Sequence, residues 1–402
     1  MTRNRWWIIV CTALALIAGQ GPINVFAAGV FLKPVAAELG FGRGEISTAI
    51  AVTNMMTALA APFFGLMLDR YGVRRPLLCS IALFALATAA MSLLRPPFSL
   101  LLIIYGTVGL VGIGQNPTAY SKVIGSYFDR DRGLAMGLAL AGVGLGTALM
   151  PNLASYFIGN FGWRVGYLVL ALTIIVVALI PVAILLPEPK RADAAEKTAA
   201  DLPGLSFREG IRTRHYWAMA IGFFVAATAI NGALVHVVPL LTDRGISPAV
   251  AASTLAGAGL ALIGGRVAAG YAMDRVFAPY VALVFLIAPM AGLAILGWRF
   301  NDISPLVGTV LLGLGIGAEI DLMSFLVTRY FGLRAFGVLH GLMFSIFALG
   351  NAAGAALLGW SYQLLKSYEP GFMLFEGLLL VACILFVTLG PYRFPAAHPH
   401  GH

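Results

Sequence analysis

The sequence predicts an all-α membrane protein: twelve spanning helices in two pseudo-symmetric six-helix bundles. Three observations carry this reading. Hydrophobic residues make up 60% of the 402-residue chain and charged residues only 11%, against roughly 25% charged in a soluble domain. The apolar stretches are long and show no strand alternation, and in hydrocarbon such stretches must be helices because backbone groups have to bond within their own segment. Finally, the chain repeats itself. GLMLDRYGVRR at 65–75 is echoed by GYAMDR at 270–275, and Gly112, Gly114, Tyr127 and Phe128 return as Gly315, Gly317, Tyr330 and Phe331. A looser echo pairs Asn24 with Asn231.

A span needs about 20 apolar residues. Six such runs lie near 7–31, 46–67, 77–94, 100–125, 134–157 and 165–186. Six more lie near 216–241, 248–273, 279–298, 304–327, 335–359 and 371–390. The expected organisation is a first bundle over 1–187, a linker over 188–214, and a second bundle over 215–402 with a short tail. The linker is rich in Pro, Ala, Lys, Asp and Glu, as expected of a solvated connection that lets the halves move. The first run is too long for a cleaved signal and reads as a retained helix.

Basic residues orient the chain. With both termini in the cytoplasm, eighteen Lys and Arg fall on that side and seven on the other, with Arg266 left inside the membrane; the positive-inside rule selects this orientation. The expected location is the cell membrane, a bacterial inner membrane, with multiple passes. The net charge of +9 is absorbed by topology, so the lipid bilayer and not nucleic acid is the expected partner. Cys11, Cys79 and Cys383 fall within runs and lack metal spacing, which suits small packing residues. The histidine tail (His398, His400, His402) reads as disordered. No catalytic triad, metal cluster or phosphate loop is present, so neither an enzyme, a cofactor nor ATP-driven work is expected. Two membrane halves joined head to tail place a substrate site at their interface near the bilayer midplane.

Ionisable residues inside a membrane cost roughly 3 kcal/mol or more, so each is a functional candidate. Arg266, in the eighth run, lies seven residues from its end at Met273, about 10 Å deep by helical rise. A guanidinium presents a planar fork that matches a carboxylate and keeps its charge. Glu319 and Asp321, in the tenth run, lie at the same depth. Being two residues apart they point to different faces, so at most one readily shares a cavity with Arg266. One of them is expected to pair with Arg266 and to take up a proton. Asn24, Asn116, Tyr120, Asn231, Ser324, Ser345 and Asn351 are the neutral polar candidates for the cavity, and each serves helix–helix bonding equally well. The repeat sets Asn116 opposite Glu319.

In the 65–75 segment, Gly65 and Gly72 allow close helix approach and a tight turn. Asp69 suits the positive end of a helix or a basic partner, and Arg70, Arg74 and Arg75 suit the anionic inner surface. Asp274 and Arg275 repeat the pattern. These residues resemble the loop between helices 2 and 3 of the major facilitator superfamily.

YFDRDRGLAMGLALAGVGLG at 127–146 resembles more narrowly the segment entering helix 5 of the monocarboxylate transporter family. The matching residues are Tyr127, Phe128, Arg130, Arg132, Leu134, Ala135, Gly137, Ala141 and Gly142, with Asn116-Pro117 upstream; Asp131 departs from the pattern. The resemblance implies that Arg266 matches the helix 8 arginine that holds the substrate carboxylate, and that Arg130 and Arg132 belong with the conformational motif. Two departures bear on proton coupling. Leu262 stands where the family commonly has an aspartate, and Phe26 aligns with a lysine of helix 1. The bacterial oxalate–formate antiporters share much of the pattern.

The expected function is therefore a proton-coupled secondary transporter of small monocarboxylates such as L-lactate and pyruvate, acting by alternating access as a monomer. Carrying such an anion alone against an inside-negative potential costs about 2.3 kcal/mol per 100 mV, and a co-transported proton removes that cost. The alternatives are an oxalate/formate-type antiporter, which would call for a second buried cation, a drug efflux carrier and a carboxylate sensor.

Overall fold

The structure is a computed structural model, and it describes residues 6–117, 120, 124, 132–186, 204–297, 304–332 and 334–394. Its long helices are α1 (Trp6–Ile17, the π-helical turn Pro22–Phe26, then Ala28–Leu39), α2 (Arg43–Tyr71), α3 (Arg74–Ala90), α4 (Phe98–Val111, tightening to a 3-10 turn at Gly112–Gln115), α5 (Arg132–Phe161) and α6 (Trp163–Thr173 and Ile180–Leu185 around a π-helical stretch). The second half holds α7 (Arg214–Asp243), α8 (Pro248–Met273), α9 (Ala278–Gly297), α10 (Pro305–Phe331), α11 (Phe336–Leu365) and α12 (Glu369–Val387). Among the described residues, 11 of these helices are long and apolar enough to cross a membrane. The remaining helix, α2, has 29 residues, ample length for a span. No strand is present among the described residues.

Local chemistry sets the helix starts. Ser247 accepts from Val250 N–H ahead of Pro248, and Ser304 accepts from Leu306 N–H ahead of Pro305; a hydroxyl cap followed by proline meets the unpaired donors of a first turn. Gly72 closes α2 at φ 79°, a conformation in which a Cβ is strained. Helix α1 runs on to Leu39, well past the expected 31, because the π turn bends it without ending it.

Apolar side chains form two large cores, one per half, while residues such as Leu59, Phe63, Leu172 and Leu364 are exposed around the outside, as a lipid-facing surface requires. Between the halves, α2 packs along α11 and α5 along α8. The approach is close enough that a Cβ on Gly29 would stand 2.3 Å from Val235 O.

The described end of the linker is not a free solvated strand. Leu205 N–H donates to Phe331 O at 2.8 Å beside a bridge between Gly204 and Gly332, and a short helix, Phe207–Ile211, is closed by a Ser206–Glu209 capping box. This stretch docks on the second half because the end of α10 offers it an unpaired carbonyl. Glu209's carboxyl is held below its ordinary range by the Ser206 backbone and hydroxyl bonds.

Every hydrogen bond between the two halves, among the described residues, lies at one end, the end where α1 turns into α2. Gly44 N–H donates to Gln363 Oε1 (2.7 Å), Trp360 Nε1–H to Thr48 Oγ1 (2.9 Å), Ser47 Oγ sits 3.3 Å from His236 Nε2, and Arg43 reaches Asp243 and Tyr368. That end is closed.

Candidate functional site

Arg266 comes from the last third of α8, where small neighbours bring α10 close: a Cβ on Gly317 would stand 2.3 Å from Leu262 O and 2.8 Å from Arg266 N. Across this contact Arg266 Nε lies 2.9 Å from Asp321 Oδ2. Glu319, two residues away and on another face of α10, is buried, and its Oε2 accepts from Asn231 Nδ2 on α7 at 3.3 Å. The two acids thus take different partners, as their spacing requires.

Both Arg266 and Glu319 line a cavity of about 140 Å³ between the halves. The second half contributes Asn231, Leu262, Arg266, Glu319 and Asn351; the first contributes Gln20, Phe26, Asn54, Thr57 and Asn116. Among the described lining residues charge is confined to one wall, and the other is neutral and polar. There Asn116 Nδ2 donates to Gln20 Oε1 (3.1 Å), and Gln20 Nε2 donates to Thr57 Oγ1. Three lining residues each keep a buried polar atom without a hydrogen-bond partner: Arg266 Nη1, Glu319 Oε1 and Asn351 Oδ1. Buried polar atoms in native proteins are nearly always satisfied, and a few convergent polar groups in a concave site are what orient a ligand. Among the described lining residues the single cation is Arg266. One guanidinium with two acceptors nearby matches a single carboxylate that carries a donor group.

The sequence-based candidates divide. Arg266, Asn116, Asn231 and Glu319 line the cavity, as does Asn351; Asp321 stands behind Arg266, outside the lining. Four other candidates do not line it either. Asn24 is buried in the π turn of α1, where Ala27 N–H bonds back to Pro22 O; the wider turn rotates Asn24 away and leaves Val25 and Phe26 on the wall. Tyr120 is fully buried and donates to Gln115 Oε1 at 2.7 Å. Its one-turn relation to Asn116 fails because the chain leaves α geometry there, with Asn116 extended at ψ 148° ahead of Pro117. Ser345 donates to the carbonyl of Gly341 one turn back (3.1 Å), and Ser324 donates to Ile320 O and lies 2.9 Å from His340 Nε2.

Gln20, Asn54 and Thr57 were not singled out from sequence. Gln20 lies one turn before Asn24, and Asn54 and Thr57 are three apart, so a search for polar residues at helical spacing within apolar runs was the available signal.

Among the motif residues, Arg74 donates to Ala183 O (2.6 Å) and ties α3 to α6. Arg275 donates to Tyr271 O and lies 3.5 Å from its ring centre; Arg70 lies over Tyr71. Arg75 and Asp274 are exposed. None of these five bridges the halves among the described residues. Arg130, the side chains of Asp69 and Arg132, the surroundings of Gly65, and His398, His400 and His402 lie outside the described residues. All three cysteines are unbonded to one another: Cys11 is buried, Cys383 half-buried and Cys79 exposed. No group of His, Cys, Asp and Glu suited to a metal occurs among the described residues.

The family model described as Major Facilitator Superfamily matches residues 8–355. The chain is 25% identical to bovine (Bos taurus) monocarboxylate transporter 13, over 98% of this chain and 91% of that one. It is 24% identical to human (Homo sapiens) monocarboxylate transporter 11, over 98% and 84%. Among solved structures, a bacterial homologue of the human lysosomal transporter Spinster, in an inward-facing and occupied conformation, superposes with a TM-score of 0.71 at 17% identity, covering 94% of this chain and 96% of that one.

Proposed function

The chain belongs to the Major Facilitator Superfamily, and from that premise we propose that it carries small monocarboxylates such as L-lactate or pyruvate across the cell membrane, one proton with each anion. The observation that carries this reading is the unpaired Nη1 of Arg266 in a cavity with no second cation among the described lining residues. The substrate carboxylate takes the free edge of the guanidinium, and a 2-hydroxyl donates to Asn351 Oδ1. An exchanger of dicarboxylates would call for another buried cation, which disfavours the oxalate/formate alternative.

The two acids have separate roles in this reading. Asp321 holds the Arg266 guanidinium in place and balances its charge. Glu319 carries the proton, replacing the acid that the related transporters commonly place at the position of Leu262. A buried carboxylate with no cation partner is costly, and taking up a proton removes that cost. The charges then close: Arg266, Asp321 and ionised Glu319 sum to the same value as the three residues with both proton and anion bound. Either ligand alone changes that sum, so the pair moves together. By the excess of basic residues on the terminal side, the closed end faces outward, and the cavity is in its inward-facing phase.

The test is uptake of labelled L-lactate by proteoliposomes under an imposed pH gradient. Accumulation that disappears in Arg266→Ala is the expected result. Gradient-independent handling of bulky apolar cations with no lactate uptake would replace this reading by drug efflux.

A further inference from the structure

A second and larger hollow, about 410 Å³, lies at the closed end and straddles the two halves. Lys33 of α1, Arg43 of α2 and Lys366 at the end of α11 are its charged lining residues, and all three are cations. One acid, Glu45, accepts from the N–H of the lining Gly42 at 2.7 Å, and behind the cations stands another, Asp243 at the end of α7. The Arg43 guanidinium clasps it edge-on, Nη1 to Oδ2 at 2.5 Å and Nη2 to Oδ1 at 2.8 Å, and Lys33 Nζ adds a contact to Oδ1 at 2.6 Å. The same guanidinium lies 3.9 Å from the Tyr362 ring centre, and its Nη1 donates to Tyr368 at 3.0 Å. Lys366 has no ion pair among the described residues.

This arrangement is a carboxylate-binding nest already filled by the protein's own carboxylate. A two-pronged arginine contact with flanking aromatic support is how a guanidinium recognises small carboxylates in general. Asp243 keeps 26% of its side-chain surface exposed, so the bond is open to competition. Three cations against these two acids leave an excess of positive charge at the mouth, and that draws anions in. Among the described residues these contacts are the ion pairs that join the halves: Lys33 and Arg43 belong to the first, Asp243 to the second.

We infer that the hollow is a capture site for small carboxylates, at which the arriving anion displaces Asp243 from Arg43 and Lys33 and so releases the closed end. Lys366 supplies the attraction and a contact for the incoming anion, and Asp243 re-forms the latch when the anion leaves. The inference rests on the reading of the chain as a carrier of small carboxylates, but the residues involved are separate from the central cavity.

The test uses the full-length protein in liposomes with Cys79 and Cys383 replaced by Ser and a reporter, Ser47→Cys, in the closed interface. Ser47 is fully buried there, so its maleimide labelling reads opening of that end. Sodium L-lactate is expected to raise the labelling rate saturably, on the order of threefold, the size set by one part-exposed charge pair, and sodium chloride at matched ionic strength is not. Asp243→Asn is expected to label fast without lactate and to lose the response. Lys366→Asn, chosen because Lys366 sits at φ 55° where asparagine is tolerated, is expected to need severalfold more lactate, and it carries the test if Asp243→Asn does not fold. Arg266→Ala is expected to keep the labelling response. No response to lactate in the parent, an equal response to chloride, or loss of the response in Arg266→Ala would each overturn the inference. Lactate-dependent labelling without lactate uptake would support the capture site and sink the transport reading; uptake without the labelling response would do the reverse.

Discussion

Asp321 Oδ2 lies 2.9 Å from Arg266 Nε, across the tight contact of α8 and α10, so the cation of the cavity is held from behind by an acid that does not itself line the wall. Removing the acid leaves a partly buried guanidinium uncompensated. Asp321→Asn is expected to destabilise the protein by about 1–3 kcal/mol, less than a fully buried pair because the Asp321 side chain keeps 32% of its surface. Thermal unfolding in detergent, compared with the parent, measures this.

Arg266→Lys keeps the charge but loses the planar fork. Loss of one charge-assisted bond, about 1.5–3 kcal/mol, predicts an apparent KM for L-lactate raised by roughly 10- to 100-fold. A KM within a factor of two of the parent would show that a point charge suffices and that the fork is not used.

Glu319→Gln preserves an acceptor for Asn231 while removing the titrating oxygen. Accumulation driven by a pH gradient is expected to stop, while exchange of labelled for unlabelled lactate continues. Asp321→Asn is expected to retain the response to the gradient. Unimpaired gradient-driven uptake in Glu319→Gln assigns the proton elsewhere.

Gly317 is the point where α10 meets α8. A Cβ there would stand 2.3 Å from Leu262 O, and backbone cannot yield as a side chain does. Gly317→Ala is expected to cost about 1–3 kcal/mol by overpacking and to weaken lactate uptake by parting Arg266 from Asp321. Paired measurement of melting temperature and uptake separates the two effects.

Where α1 ends, at the closed end, Glu38 meets Arg164 and accepts from Trp163 Nε1 at 2.6 Å, tying α1 to α6. These two bonds, that to Arg164 first, hold its carboxyl below the ordinary 4.5. A carboxyl lowered on folding stabilises the fold above its unfolded value, and the contribution fades as pH falls through the folded value. Glu38→Gln is therefore expected to melt earlier than the parent at pH 7, with the difference narrowing below about pH 4.5. A difference constant down to pH 3 would mean that the ion pair contributes nothing.

Apolar run length, the doubled motif and the placement of basic residues were enough to define a two-bundle membrane fold, because hydrocarbon leaves the backbone few choices. The same logic singled out Arg266 and Glu319, since a charge in an apolar run is costly wherever the helix turns. Which neutral residues join them was decided by departures from regular helix. The π turn at Pro22–Phe26 turns Asn24 away, and the 3-10 turn at Gly112–Gln115 breaks the one-turn relation of Asn116 to Tyr120. The latch of Arg43 on Asp243 joins residues 200 positions apart, and only the packing of the two halves brings them together. Composition and spacing report what a single helix must satisfy; the pairing of faces between helices depends on how backbones bend and approach, and tertiary structure alone fixes that.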